Sequence, residues 1–252
     1  GSSFGKFMVQ GRDAEAVMSR ICANNVAVEP GKVVYTAWLN ERGGIESDLT
    51  VTRLREDAYL VVTAGTSQTR DLAWLRRQLP DEANAVVTDV TSGYVVLSVM
   101  GPNARRLLAE VTPADLSNEA FPFGTSKEIE VGYATALALR VTYVGELGWE
   151  LYIPTEFAQD IYDGIVAAGS GHGLKLAGMH ALNSLRLEKA FRHWGHDITD
   201  EDNPVAAGLG FAVAWDKPRG FIGREALLKI KEAGIPKKRL EQVALLEPGP
   251  LL

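Results

Sequence analysis

The chain repeats one order of strands and helices, and this repeat constrains its fold more than any other feature. A strand over residues 4–10 ends at Gly11 and a strand over 94–100 ends at Gly101, so the two glycines lie 90 positions apart, from 11 to 101. After each glycine, alternation and turn signals predict a helix, several strands and a second helix. This order is typical of antiparallel sheets that helices cover on one face. We therefore predict an α+β fold of two similar lobes around a central cavity.

Hydrophobic alternation, glycines and prolines set the predicted element boundaries. In the first half they predict a helix capped by Asp13 and ending near Cys22, strands over 33–39, 45–53 and 59–63, and a helix over 66–79. In the second half they predict a helix over 103–110, strands over 127–131, 134–143 and 149–153, and a helix over 155–168. Beyond these, they predict a helix from 179 to about 193, a strand over 208–215, a helix over 224–233 and a strand over 240–246.

These elements divide the chain into four predicted parts. The first lobe is assigned to 1–88 and the second to 89–170, and the glycine-rich run at 169–173 is the clearest linker. Residues 171–239, with a helix and a strand, complete the module. The strand that opens 240–252 has no partner in sequence, which favours the start of a further, truncated unit.

Composition limits the classes of function. The 252 residues are 46% hydrophobic and 23% charged, as is ordinary for a globular protein. A net charge of −6 with scattered basic residues argues against a nucleic-acid-binding surface, and no apolar run reaches membrane-spanning length. A single cysteine, Cys22, excludes an intrachain disulfide and is typical of a reducing compartment. We therefore predict a cytoplasmic location, or the mitochondrial matrix if the source is eukaryotic.

The turn at Gly43 and Gly44 fixes the register of the strand that follows it, because glycine adopts positive φ without strain. In that strand Ile45, Leu49 and Val51 share one face, and Asp48 lies on the other with polar neighbours. A carboxylate at a fixed distance from a rigid turn suits contact with a ligand. The alternative is an ordinary surface hairpin with a solvated polar face.

A second hairpin places Glu150 between two tyrosines. Glu150 and Tyr152 share one face of the strand over 149–153, and Tyr143 lies across the turn. A carboxylate can accept two parallel N–H groups from a flat heterocycle, which is a strong charge-assisted geometry. The alternative is a half-exposed hairpin with packed tyrosines and a solvated glutamate. If the lobes are related by a pseudo-twofold axis, the hairpins of Asp48 and Glu150 are equivalent and converge on one cavity.

Six blocks in the same order resemble one protein family. They are SFGKF at 3–7, WLNERGG at 38–44, YVGELGWE at 143–150, SLRLEK at 184–189, WGHD at 194–197 and FIGREAL at 221–227. The chain resembles the glycine cleavage T-protein (aminomethyltransferase) family over nearly its whole length. Within that family it is most similar to the folate-binding half of the FAD-dependent sarcosine and dimethylglycine dehydrogenases, which are flavoproteins fused to a T-protein-like module.

The resemblance implies a function and a set of site residues. It implies that the module binds tetrahydrofolate and receives a one-carbon unit from an N-methyl amine-derived iminium, giving 5,10-methylenetetrahydrofolate. Asp48 matches the catalytic aspartate near folate N10, and Glu150 matches the pterin-binding glutamate. Further matches that contact folate or line its site are Tyr143, Leu151, Tyr152, Thr63, Ala64 and Gly65. Tyr35 and Trp38 are expected to line the cavity, and Phe211 is expected at the folate site. Arg186 either contacts the folate tail or supports its helix or a neighbouring carboxylate.

The chain also departs from the family pattern. Leu182 stands where the T-proteins proper have an arginine. The dehydrogenase branch also has an apolar residue at this position, so Leu182 favours that branch and weakens a glycine-cleavage role. Phe211 stands where a hydroxylated aromatic is common, which predicts a missing hydrogen bond. The family's C-terminal barrel would begin near Leu240, so 240–252 is expected to be its truncated start. No Gly-x-Gly-x-x-Gly follows a strand, so we expect FAD and the flavoprotein part to be fused or separate partners outside this chain.

Two other functions remain open from the sequence. A non-catalytic folate-binding protein of the iron–sulfur-assembly type would have the same fold, but its cysteine-containing motif is replaced here by residues 143–146. A folate-dependent S-demethylase would differ in its product. No metal site is expected, because the one closely spaced histidine pair, His193 and His196, is interrupted by Gly195.

Overall fold

The computed structural model describes residues 3–247, and its first half is a five-stranded antiparallel sheet. The strands are β1 (Gly5–Gln10), β2 (Val33–Leu39), β3 (Ile45–Arg55), β4 (Ala58–Thr63) and β5 (Val86–Asp89), in the order β2-β3-β4-β1-β5. Helices α1 (Ala14–Ile21) and α2 (Gln68–Arg77) cover one face of this sheet. β5 has no counterpart among the predicted strands.

The second half is a four-stranded antiparallel sheet with its own helices. Its strands are β6 (Tyr94–Met100), β7 (Ser126–Val131), β8 (Ala134–Leu139) and β9 (Gly148–Pro154), in the order β6-β9-β8-β7. Helices α3 (Ala104–Leu108) and α4 (Ala158–Gly169) pack on one face, around the buried Trp149 and Phe121. The remaining helices are α5 (Met179–Glu188) and α6 (Arg224–Glu232). The predicted α+β class with two antiparallel sheets is confirmed.

The two sheets have the same topology, which explains the repeat in the sequence. β1, β2, β3 and β4 have the same neighbours in the first sheet as β6, β7, β8 and β9 in the second. The glycine after the first strand of each set is left-handed, with φ of +138° at Gly11 and +131° at Gly101. Each glycine carbonyl then accepts a hydrogen bond from the first residue of the next helix, Ala14 or Ala104. Only glycine adopts this φ without strain, so the conformation accounts for both residues.

Several predicted boundaries are wrong. β8 ends at Leu139 instead of 143, because the Thr142 hydroxyl accepts hydrogen bonds from the backbone N–H groups of Val144 and Glu146 and turns the chain away from the sheet. α5 ends at Glu188 instead of about 193, and Ala190 has a φ of +57°, which no α-helix accommodates. At the start of α1, the Asp13 side chain makes no capping bond and accepts instead from the N–H of Asn84.

The two predicted strands near the C-terminus are absent. Residues 208–215 contain a 3₁₀ turn, Gly210–Ala212, and their apolar side chains pack in a cluster with Ala37, Leu39 and Ile45 instead of pairing in a sheet. Residues 240–247 contain no strand either. Residues 248–252 of the predicted fourth part lie outside the described residues, and the predicted division into four parts stays a prediction.

Candidate functional site between the two sheets

The faces of the two sheets that the helices do not cover pack against each other. Leu60 and Val62 of β4 form one buried cluster with Val96 of β6, Leu139 of β8 and Tyr152 of β9. The strand register assigns both predicted carboxylates to these facing surfaces. Asp48 shares a face of β3 with Thr50, which pairs with Val62, and Glu150 shares a face of β9 with Tyr152.

The carboxylate of Asp48 is held by β2. The Tyr35 hydroxyl donates a hydrogen bond to Asp48 Oδ2 at 2.9 Å. Desolvation by the surrounding protein raises the pKa of Asp48 to about 6, although the bond from Tyr35 favours the charged form. A carboxyl group with a pKa near 6 is charged at neutral pH but readily protonated, as a general acid–base group requires.

A loop of the second half approaches Asp48. The Tyr143 hydroxyl donates a hydrogen bond to the Arg192 carbonyl at 2.7 Å. Burial raises the pKa of Tyr143 to about 12, and the negative charge of Asp48 adds to that rise. Tyr143 and the Arg192 guanidinium also influence the pKa of Tyr35, so the charges of these groups act on one another. The structure thus brings Asp48, Tyr35 and Tyr143 near one another, and their role in binding a ligand stays a prediction.

Glu150 is buried, with 8% of its surface exposed. The Tyr152 hydroxyl donates a hydrogen bond to Glu150 Oε2 at 2.9 Å, and this is the one hydrogen bond that the Glu150 carboxylate makes within residues 3–247. Burial raises the pKa of Glu150, and the bond from Tyr152 partly opposes that rise. A buried carboxylate with unused acceptor capacity is suited to paired N–H donors of a ligand.

The two carboxylates do not come from equivalent hairpins, so that prediction is wrong. Gln10 pairs with Ala58, and Met100 pairs with Gly148, so β4 and β9 correspond with the same 90-residue spacing as the two glycines. The counterpart of Glu150 is therefore Leu60, in the inter-sheet cluster. Asp48 lies one strand away, on β3. The two groups lie on facing surfaces of the two sheets, on non-equivalent strands.

The other predicted site residues fall into three groups. Val62 pairs with Thr50, so the segment 63–65 continues from β4 past Asp48. The side chains of Leu151 and Trp38 lie in the helix-side cores, and Trp38 stacks on Trp74 with ring centroids 4.8 Å apart. The expectation that Trp38 lines the cavity is therefore wrong, and Leu151 can contribute its backbone. Phe211 is 74% exposed and stacks on Tyr35 at 6.1 Å.

Arg186 is engaged inside the protein. Its guanidinium pairs with Asp197 and donates to the Phe191 carbonyl at 3.0 Å and to Asn183 at 2.8 Å. These contacts support the reading in which Arg186 holds its helix and the following loop. Arg192 is a residue near the site that the sequence analysis missed, since it contacts Tyr143 through its backbone and no motif indicates it.

Two cavities in the described part of the chain lie elsewhere. One of about 190 Å³ is bordered by Asn40, Trp74 and Ile222, and one of about 350 Å³ by Asp197, Asp202 and Lys238. Neither is lined by Asp48 or Glu150. The predicted cavity between the two carboxylates therefore stays a prediction.

Comparison with known proteins places the chain in a family. The family model described as GCVT N-terminal domain matches residues 1–217, so the chain belongs to this family. Over 92% of its length it also superposes on the glycine cleavage system aminomethyltransferase T from Bartonella henselae, with 28% identity, a TM-score of 0.81 and 62% of that chain covered. The fold is thus that of the T-proteins.

Its curated relatives include an oxidase, dehydrogenases and an aminomethyltransferase. It is 45% identical to 4-methylaminobutanoate oxidase (formaldehyde-forming) of Paenarthrobacter nicotinovorans, over 99% of this chain and 30% of that protein. It is 39% identical to human mitochondrial sarcosine dehydrogenase, over 94% of this chain and 27% of the relative. It is 37% identical to the aminomethyltransferase of Halothermothrix orenii, over 94% of this chain and 65% of the relative. The chain thus spans less than a third of the oxidase and the dehydrogenase.

A membrane-crossing helix is not found among residues 3–247, because none of the helices there combines the necessary length with sufficient apolar character.

Proposed function

We propose that the chain is a tetrahydrofolate-binding module that transfers a one-carbon unit from an N-methyl amine-derived iminium, of the sarcosine or dimethylglycine type, to tetrahydrofolate. The observation that carries the proposal is the pair of desolvated carboxylates, Asp48 and Glu150, on facing surfaces of two sheets. One is partly accessible and titrates near neutral pH, while the other is buried with spare acceptor capacity. Two such environments suit two different tasks in one site.

Glu150 is suited to hold the pterin ring. The pterin presents a ring N–H beside an amino group, and a carboxylate accepts both in parallel. The Tyr152 bond orients the carboxylate, and the apolar side chains of Leu139 and Val96 exclude water around it. The phenol of Tyr143 and the backbone of 63–65 and Leu151 are further contacts.

Asp48 is suited to move a proton. A reduced folate supplies two nitrogens, N5 and N10, between which the carbon is held in the product. N5 adds to the iminium carbon and its proton passes to the donor nitrogen. The bond from that carbon to the donor then breaks, the donor leaves as the amine, and N10 closes the ring. Asp48 accepts the proton that N10 loses, and its negative charge stabilises the cationic donor. Tyr35 holds Oδ2 of Asp48 so that the carboxylate keeps one orientation. No external oxidant or reductant is needed, because the donor arrives already oxidised.

The iminium requires a flavoprotein part with FAD, fused to this module or separate from it. Sarcosine dehydrogenase is among the relatives, and this chain spans 27% of it. We propose the cytoplasm, or the mitochondrial matrix in a eukaryote, as the location, which cell fractionation tests.

The proposal predicts that folate stabilises the protein. Thermal unfolding would be followed with increasing 5-formyltetrahydrofolate, a stable reduced folate. A ligand at 100 times its Kd adds about 2.7 kcal/mol, which for a chain of this size is roughly 5–10 °C. Glu150→Gln should remove most of this shift, whereas the exposed Glu130→Gln should keep it. No shift with wild type, in protein that melts cooperatively, would contradict the proposal.

Turnover is tested separately from binding. The iminium is generated from glycine and formaldehyde in the presence of tetrahydrofolate, and mass spectrometry measures 5,10-methylenetetrahydrofolate above the uncatalysed rate. Asp48→Asn should keep the folate-induced shift and lose the rate enhancement by about 10²-fold or more. Binding without turnover by wild type would favour the non-catalytic folate-binding alternative. With a sulfonium methyl donor, methyltetrahydrofolate as the product would favour the S-demethylase.

A second candidate follows from one relative. The oxidase that is 45% identical to this chain is described as formaldehyde-forming. In such a module the one-carbon unit would leave as formaldehyde when folate is absent. Formaldehyde release that tetrahydrofolate does not suppress, measured with the flavoprotein part present, would favour this candidate over transfer.

A further inference from the structure

Asp71 of α2 lies behind the strand that carries Asp48. Ser47 and Asp48 are consecutive in β3, so their side chains point to opposite faces of the sheet. The Ser47 side chain points toward α2, and its hydroxyl donates to Asp71 Oδ2 at 3.1 Å. Asp71 is 1% exposed and Ser47 is 2% exposed. A buried carboxylate is therefore joined, through one residue, to the backbone that positions Asp48.

The hydrogen bonds of Asp71 favour its charged form. Besides Ser47, the Ser67 hydroxyl donates to Asp71 Oδ2 at 2.7 Å, and the Arg70 guanidinium lies 3.5 Å from Oδ1. Burial raises the pKa of Asp71, and these donors oppose that rise. Arg70 is shared, since it also pairs with Glu46 at 2.6 Å. Its charge is therefore divided between two carboxylates.

We propose that Asp71 is a positioning residue for Asp48: through Ser47 it fixes this part of β3 from the opposite face, and its negative charge acts on Asp48 across one strand. The proposal deepens the function proposed above and rests on it for its catalytic meaning. A carboxyl group that titrates near neutral pH exchanges protons more effectively there than one with an ordinary pKa. Because Asp71 lies on the opposite face of the strand, its charge can raise the pKa of Asp48 without occupying the ligand site.

Other charged or titratable groups around Asp48 do not replace Asp71. They are Tyr35 of β2, Glu46 of β3, Arg70 of α2, Tyr143 after β8 and Arg192 after α5. Tyr35 lowers the pKa of Asp48 by its hydrogen bond, and Glu46 is paired with Arg70. Asp71 is the carboxylate whose charge adds to the rise in the pKa of Asp48.

The test is an NMR titration of the ligand-free chain with ¹³C-labelled aspartate side chains. In Asp71→Asn the midpoint of the Asp48 titration should fall, because removing a like charge favours the ionised carboxylate, while desolvation, the larger cause of the raised pKa, remains. Asn keeps an oxygen that accepts from Ser47 and Ser67, so the strand is held while the charge is removed. Asp163→Asn, an exposed change on α4, is the matched control and should leave the midpoint in place.

Two results would overturn the inference. One is an unchanged Asp48 midpoint in folded Asp71→Asn. The other is measured on the wild type, so it can be used even if Asp71→Asn does not fold. Coupled groups share inflections in their titration curves, so independent single-step curves for Asp48 and Asp71 would contradict the coupling. Because the titration needs no ligand, its outcome is separate from that of the folate experiment.

Discussion

Asp48→Asn should stabilise the protein at neutral pH, and the gain should disappear in acid. The folded-state pKa of Asp48 is about 6, above the ordinary 3.8, so the folded state binds this proton more tightly than the unfolded state. Stability from this group is therefore fully present below about pH 4 and is lost as the pH rises through 6. Asparagine does not titrate, and its oxygen can still accept the hydrogen bond from Tyr35.

The size of the effect follows from the shift in pKa. The folded-state and unfolded-state pKa values of Asp48 differ by roughly two units. This difference changes the free energy of unfolding by about 3 kcal/mol between strongly acid and neutral solution. About 1.4 kcal/mol of this falls between pH 5 and pH 8, a range in which the chain is easier to handle. That difference corresponds to roughly 3–6 °C in Tm for a chain of this length.

The assay is urea unfolding of wild type and Asp48→Asn at several pH values from 5 to 8, without ligand. Contributions of Glu150 and other titrating groups cancel in the difference between the two proteins, except where they couple to Asp48. Asp163→Asn, exposed on α4, should differ from wild type by a constant amount. A difference between Asp48→Asn and wild type that does not grow with pH would refute the argument that Asp48 is desolvated.

Two further predictions concern the backbone. Gly11→Ala should cost more stability than Gly101→Ala, although both glycines have φ near +135°. A Cβ at Gly11 would lie 2.1 Å from the Asn84 carbonyl oxygen, whereas a Cβ at Gly101 would meet no atom within 4 Å. Equal urea midpoints for the two variants would contradict this. Ala190→Gly should stabilise the protein by about 0.5–1 kcal/mol, because Ala190 has a φ of +57° that glycine adopts freely, and a lowered urea midpoint would contradict this reason.

The topology could be predicted from the sequence because it is encoded twice. Gly11 and Gly101 mark the same turn in both halves, and the alternation of apolar and polar residues along β3 is enough to assign Asp48 to one face of the strand. The hairpin places Ala37 opposite Asp48, which brings Tyr35 onto the same face within reach of the carboxylate. These placements follow from strand geometry alone, so the local sequence pattern is enough to predict them.

What could not be predicted depends on contacts between distant segments. The bond from Tyr143 to the Arg192 carbonyl joins residues 49 positions apart and follows from no periodicity. Residues 208–215 have the apolar composition of a strand, but they pack against β2 and the start of β3 instead of pairing. Asp71 resembles any acidic residue in the first turn of a helix, and its relation to Asp48 becomes visible only when α2 is placed behind β3.

The repeat also explains why the site is not symmetric. Leu60 takes the place of Glu150 in the first sheet, and the register that pairs Thr50 with Val62 and Leu137 with Tyr152 makes Thr135 the counterpart of Asp48. Each half therefore supplies one carboxylate where the other half has an uncharged residue. A fully symmetric arrangement would bring four carboxylates to facing surfaces, and desolvation and mutual repulsion would keep some of them protonated. With one carboxylate from each half, on non-equivalent strands, Asp48 and Glu150 can have different environments, which suits the elongated ligand with two unlike ends that we propose.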